Sequence, residues 1–249
     1  MKRIILVAVI GFLCAVQMNA QRTYVLAAGV SAYQEQNKLS QTTKDVKAFA
    51  KLMKTQTPDV TVLTSQYASR ENILEKLRAI CNRAGKNDRV VFFFSGHGGS
   101  GVMCAYDGNG GNYMLSYTDL MAVLKSSQAK EKICYVDVCH AGSAANVLNT
   151  KEKSYTWSKD ASGAQIAFFV SSRADEYSNE NSWTGAGFFT RALLKGLQGK
   201  ADANSDREIT VIELFKYIYN DVVSRSNKGQ HPQLIASKSA YQIVLTKWK

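Results

Sequence analysis

The chain has 249 residues, 45% of them hydrophobic and 20% charged, with two prolines, five cysteines and a formal net charge of +11. That length supports one sizeable domain, and the apolar content with so little proline excludes a disordered or fibrous protein. Lys and Arg are scattered, with no arginine-rich stripe and no aromatic-interleaved basic patch, so the positive charge reads as a solvated surface and not as a nucleic-acid face.

Residues 1–20 read as a secretory signal: Lys2-Arg3, an apolar run over 4–16, then Gln17-Met18-Asn19-Ala20. The run is too short to span a bilayer comfortably. Bulky Leu13 before Cys14 fits poorly with a lipid-modified cysteine. Removal of the signal leaves one domain over 21–249 with a net charge of about +9. The expected location is secreted or periplasmic, with no stable membrane anchor after cleavage. Of the four cysteines that remain, Cys81 and Cys134 read as small core residues. Their spacing is not of the metal-binding kind, and a disulfide framework is not expected in a domain of this size.

The first strand is expected at 24–28. A helix follows, with Val46, Phe49, Ala50 and Met53 on one face. Next come a strand at 60–63 and a helix with Ile73, Leu77, Ile80 and Cys81 inward and Ser69 as its cap. A strand at 90–95 leads to a hairpin excursion over 102–115, broken by Asp107-Gly108-Asn109-Gly110-Gly111. Ser116 and Asp119 form a capping-box pattern ahead of Leu120, Val123 and Leu124. Strands at 133–138 and 166–171 precede a helix over 188–197 that stops at Gly199, and a helix from Thr210 to about Val223 with Glu213 as its box partner. A last strand is expected at 242–245. Strands that are continuous and Val/Ile/Phe-rich are covered on both faces. The alternation predicts an α/β fold, a mostly parallel six-stranded sheet flanked by helices on both faces. In such folds ligands bind beyond the carboxyl ends of the strands.

Two of these strands run straight into chemistry. The strand at 90–95 ends in Ser95-Gly96-His97-Gly98-Gly99, and the strand at 133–138 in Asp137-Val138-Cys139-His140-Ala141-Gly142. A thiol with its ordinary pKa near ~8.5 needs a base or local positive charge to become a nucleophile. His97 is the candidate base for Cys139. The glycines leave backbone N–H groups accessible, and the amides of Gly98 and Cys139 are candidates for an oxyanion hole. His140 follows Cys139 directly and points to the other side of an extended segment, which suits a structural or solvated role. Asp137 precedes Cys139 by two and shares its face, where a carboxylate would attract a basic substrate side chain.

Ser95-Gly96-His97-Gly98 and Asp137-x-Cys139-His140-x-Gly142 resemble the caspase-like cysteine peptidases, the broad group that includes metacaspases, clostripain-like enzymes and gingipains. The resemblance runs from about Tyr24 to the C-terminus. It implies a caspase-like three-layer sandwich and a His97–Cys139 dyad without an obligatory third acid, cleaving peptide bonds through a thioester. In metacaspase-like relatives the aspartate at position 137 binds a basic residue, which implies cleavage after Arg or Lys. Asp175 matches the acidic position of the second specificity loop; Arg173 nearby would favour acidic substrates unless Asp175 neutralises it. Gln230-His231-Pro232-Gln233 resembles the stretch before the family's last strand, and His231 is given no chemistry. The polar segment 148–164, with Lys151, Lys153 and Lys159, lies where relatives carry a processing loop, so self-cleavage there is one reading and ordinary loop charge the other.

Asp202, Asn204, Asp206 and Glu213 occupy positions 1, 3, 5 and 12 of a calcium-loop pattern, but Arg207 stands where the pattern has glycine. The stretch is read as a turn and helix cap, with calcium the alternative; no cofactor is required. The main reading is a cysteine endopeptidase acting on peptides or proteins. The competing readings are a catalytically idle module that binds peptides or partners, and a hydrolase or transferase acting on a non-peptide acyl group.

Overall fold

The computed structural model describes residues 20–33, 38–108, 114–138, 165–173, 180–181 and 186–248. Its centre is a six-stranded sheet built from β1 (Thr23–Gly29), β2 (Val60–Thr64), β3 (Arg89–Ser95), β7 (Glu131–Asp137), β8 (Gln165–Val170) and β12 (Gln233–Ala236). The spatial order is β12-β8-β7-β3-β1-β2, parallel throughout except for β12, which runs antiparallel to β8. Five helices surround it among the described residues: α1 (Thr42–Met53), α2 (Arg70–Arg83), α3 (Tyr117–Ser126), α4 (Phe188–Lys195) and α5 (Val211–Arg225).

The four inner strands, β1, β3, β7 and β8, are near-continuous apolar runs because both of their faces are covered. Alternate residues of β3 divide between two cores. Phe92 and Phe94 meet Ile73, Leu77, Leu120 and Leu124 of α2 and α3 on one face. Val91 and Phe93 meet Phe49 of α1, Phe189 and Leu193 of α4, and Leu214 and Ile218 of α5 on the other. Phe49 stacks on Phe93 with ring centroids 4.4 Å apart. Each fully buried ring of this kind contributes on the order of 1.5–3 kcal/mol by leaving water. Both expected capping boxes form, Ser116 with Asp119 and Thr210 with Glu213, and the Ser69 hydroxyl accepts from the Asn72 N–H.

One expected strand lies elsewhere. The sheet ends on β12, whereas residues 242–245 overlap β13 (Val244–Lys247), which pairs with β11 (Glu208–Thr210) in a separate antiparallel ribbon. β12 is a short edge strand with only Ile235 fully buried, so it lacks the apolar run that marks its neighbours. The hairpin excursion forms as a three-stranded antiparallel unit of β4 (Gly98–Gly99), β5 (Val102–Cys104) and β6 (Met114–Ser116).

The chain leaves β1 toward β2 by α1 on one face and returns from β2 to β3 by α2 on the other. The strand order therefore reverses between β1 and β3, which opens a crevice at their carboxyl ends. The residues after β1, β3, β7 and β8 gather at that end of the sheet.

Candidate active site

β3 and β7 are adjacent and in parallel register, with Ser95 opposite Asp137. His97 lies two residues beyond the first of these, and in the sequence Cys139 lies two residues beyond the second. Cys139 itself, His140, Asp175, the segment 148–164 and residues 1–19 lie outside the described residues.

His97 is half-buried and held by its backbone. Its N–H donates to the Tyr33 hydroxyl at 2.6 Å, its carbonyl accepts from the Cys104 N–H at 2.9 Å, and the Tyr33 ring lies 4.8 Å from the imidazole. The Tyr33 hydroxyl donates onward to the Cys104 carbonyl at 3.2 Å. Gly96 is required here by space: a Cβ on it would lie 2.5 Å from the Tyr33 oxygen and 3.0 Å from the Phe94 ring. The Gly96 N–H continues the ladder by donating to the Asp137 carbonyl at 3.2 Å. Gly98 stands opposite Met103, with the neighbouring ladder bond running from the Cys104 N–H to the His97 carbonyl. In that register the Gly98 N–H turns away from β5, the orientation an external oxyanion needs.

Asp137 is buried at the end of β7. Its Oδ2 accepts from the Thr190 hydroxyl at 2.7 Å and the Thr190 N–H at 3.3 Å. Thr190 lies in the first turn of α4, whose N-cap is Gly187 and has no side chain to offer. The carboxylate therefore caps α4 from the strand end it packs on, where the helix dipole favours negative charge. A second carboxylate shares the place. A Cβ on Gly187 would lie 3.0 Å from Asp137 Oδ2 and 3.9 Å from the Oδ2 of Asp45, a buried residue in the first turn of α1. Asp45 and Tyr33 are the contributors that sequence reasoning passed over. The signal for Asp45 was there: it occupies a position in the stripe of Thr42, Val46, Phe49, Ala50 and Met53, where an ordinary surface acid does not belong.

Arg173 is exposed just past β8. His231 packs its ring 6.3 Å from that of Tyr219. Cys81, Cys104 and Cys134 are buried free thiols. Burial pushes the Cys81 thiol up to about 11 and raises the Cys134 thiol well above its ordinary value, as suits inert core residues.

The calcium-pattern loop ties most of its side-chain oxygens to its own backbone and leaves Asp202 Oδ1 buried without a partner. Asp202 Oδ2 accepts from the Arg207 N–H, Asn204 Oδ1 from the Asp206 N–H, and Asp206 Oδ1 from the Glu208 N–H. Glu213 turns its Oε2 to the N–H and hydroxyl of Thr210. Arg207 takes φ of 66°, so the turn normally given to glycine is made in spite of the side chain. Among the described residues no three His, Cys, Asp or Glu side chains converge as metal ligands.

The profile of the caspase-domain family matches residues 22–242. The chain belongs to that family. This caspase-domain protein has no significant sequence match among curated proteins. Its fold is shared by a crystal structure of a Geobacter sulfurreducens protein, at a TM-score of 0.66 and 17% identity over 89% of this chain and 97% of that one. It is shared too by Caspase-1 from Spodoptera frugiperda, at a TM-score of 0.63 and 15% identity over 86% of this chain and 88% of that one. At such identities the likeness is one of fold, and the caspase-domain protein's chemistry has to be argued from its own residues.

Proposed function

We propose that the protein is a cysteine endopeptidase that cuts after Arg or Lys, with Cys139 as nucleophile and His97 as its base. The observation that carries this is the register of β3 and β7, which sets the strand exits toward His97 and Cys139 side by side at the sheet's crevice. His97 takes the thiol proton, and the thiolate adds to the scissile carbonyl carbon while the C=O electron pair moves onto oxygen. The amides of Gly98 and Cys139 receive that oxyanion. Collapse expels the amine, which takes the proton from the imidazolium, and a thioester remains. Water, deprotonated by His97, then releases the acid product and the free thiol.

Asp45 and Asp137 support the basic specificity. Two carboxylates in one buried place favour a cationic side chain over an anionic one, whatever else they bond. Asp175 is proposed as a third acidic contributor, and the leader over 1–20 as the signal that exports the enzyme to the periplasm or beyond. Fluorogenic peptides ending in Arg, Lys and Asp, tested side by side, should show turnover of the first two only; turnover of the Asp peptide alone would contradict the specificity. Asp45→Asn should raise KM for the Arg peptide roughly tenfold, since one charge contact is removed.

Lysines 151, 153 and 159 are proposed as sites of self-cleavage. The intact mass of wild type should then fall to fragments that the Cys139→Ala variant does not give, and identical masses would refute it. The reaction is assigned no cofactor, and the loop from Asp202 to Glu213 is assigned a structural role. Equal thermal midpoints in calcium and in chelator are expected, and a midpoint raised by calcium would place an ion there.

A further inference from the structure

The backbone that leads into position 139 is held by a side chain where the sheet ladder stops. β7 and β8 pair up to Val136 opposite Val170, and the Ser171 N–H adds one more bond to the Val136 carbonyl at 3.0 Å. β8 ends there. Val138 then places both of its backbone groups on one hydroxyl: its N–H donates to Ser171 Oγ at 3.2 Å, and Ser171 Oγ donates to the Val138 carbonyl at 2.9 Å. Ser171 is fully buried, and its own carbonyl accepts from the Gln230 side-chain amide at 2.8 Å. Gln230 is buried to the same degree, and its N–H donates to the Ser226 hydroxyl at 3.0 Å, at the end of α5. A chain of hydrogen bonds thus runs from a half-buried helix end through the buried side chains of Gln230 and Ser171 to the residue before the proposed nucleophile.

A carbonyl and the amide that follows it form one planar trans unit. Whatever holds the Val138 carbonyl therefore acts on the peptide unit that joins Val138 to position 139. We propose that Ser171 is a positioning residue for acyl transfer: its hydroxyl aims the Cys139 amide at the developing oxyanion, and Gln230 holds Ser171 in place. The inference rests on the peptidase reading above. Negative charge builds on the oxygen only as the transition state is approached, so a misaimed donor lowers kcat and leaves substrate binding alone. Alkylation by iodoacetamide forms a sulfur–carbon bond at a saturated carbon and expels iodide. It passes through no oxyanion, so the same loss should not touch it.

The test compares wild type, Ser171→Ala and Ser171→Thr on an Arg-ended amide substrate, with thermal midpoints and the rate of iodoacetamide modification at Cys139. Ser171→Ala should lose about 10- to 100-fold in kcat, less than a lost oxyanion donor costs outright. Its KM and alkylation rate should stay within about twofold, and Ser171→Thr, which keeps the hydroxyl, should recover most of kcat. Gln230→Leu should show the same split to a smaller degree. A folded Ser171→Ala variant with wild-type kcat would overturn the inference and leave the peptidase reading intact. So would kcat, alkylation rate and midpoint all falling together, which marks a purely structural serine. A wild type that hydrolyses no peptide would overturn the peptidase reading and this inference with it.

Discussion

His97 is fixed through its backbone before its imidazole meets any substrate. The Tyr33 hydroxyl accepts from the His97 N–H and donates to the Cys104 carbonyl, so it joins the turn at His97 to the β4–β5 hairpin. Tyr33→Phe removes both hydrogen bonds that the hydroxyl makes to backbone, at a cost of about 1–3 kcal/mol. We expect a measurable drop in thermal midpoint and roughly a tenfold loss of kcat/KM, because a loosened base transfers protons less efficiently. Unchanged kinetics would show that the hydroxyl does nothing for the imidazole. The thiols separate just as clearly. Cys81 and Cys134 are buried with raised pKa values and Cys104 is buried as well, so brief iodoacetamide treatment near neutral pH should modify Cys139 first and these three only after unfolding. Peptide mapping by mass spectrometry reads the order, and early modification of Cys81 would contradict it. At this scale the sequence displayed the candidate pair because each follows an apolar run that stops in small residues. Tyr33 was invisible, since nothing in a lone tyrosine after β1 shows which backbone its hydroxyl will reach.

The elements are tied together by polar contacts that few sequence patterns reveal. Arg89 opens β3 and is nearly buried, paired with Glu131 at the start of β7 and donating to the carbonyls of Val244 and Leu245 at 2.6 and 3.2 Å. It fastens β13 to the sheet, although β13 pairs only with β11 in the ladder. Arg89→Met would strand the Glu131 carboxylate, a change that costs about 3–5 kcal/mol for a buried pair. A midpoint lowered by roughly 10 °C is expected in a domain of this size; a shift under about 2 °C would show that the pair contributes little. A second tie joins α2 to α3, where Arg70 donates to Asp119 at 2.9 Å. Burial opposes the Asp119 charge, but the Ser116 and Arg70 hydrogen bonds outweigh it and hold the carboxyl below its ordinary value. A depressed carboxyl stabilises the fold above its unfolded pKa, and that stability is lost as pH falls through the folded value. Asp119→Asn should accordingly lower stability at neutral and alkaline pH, with the difference from wild type shrinking as pH falls below about 4. The caps on α2, α3 and α5 were legible because Ser or Thr three residues before a polar partner has a fixed hydrogen-bond geometry. β12 was not, because an antiparallel edge strand needs no apolar run and its sequence alternates weakly.

Across the whole molecule the caspase-domain fold follows from four buried parallel strands, β1, β3, β7 and β8, whose two faces separate cleanly into two cores. That separation is written in the period-two alternation of each strand and the helical stripes between them, so the layers and their order could be read from the chain. What depended on distant segments meeting could not. Asp45 and Asp137 come from different ends of the sheet's wiring and meet only because α4 starts at Gly187 between them. The cap that Asp137 places on α4 likewise exists only in three dimensions. The central claim is that one imidazole and one thiol, brought to neighbouring strand ends, perform acyl transfer on peptides. Hydrolysis of an Arg-ended fluorogenic peptide by wild type, His97→Ala and Cys139→Ala tests it most directly. Activity in wild type that disappears in Cys139→Ala and falls at least about a hundredfold in His97→Ala is the predicted result. Activity that survives loss of the thiol, or a wild type that leaves every peptide intact, would contradict it.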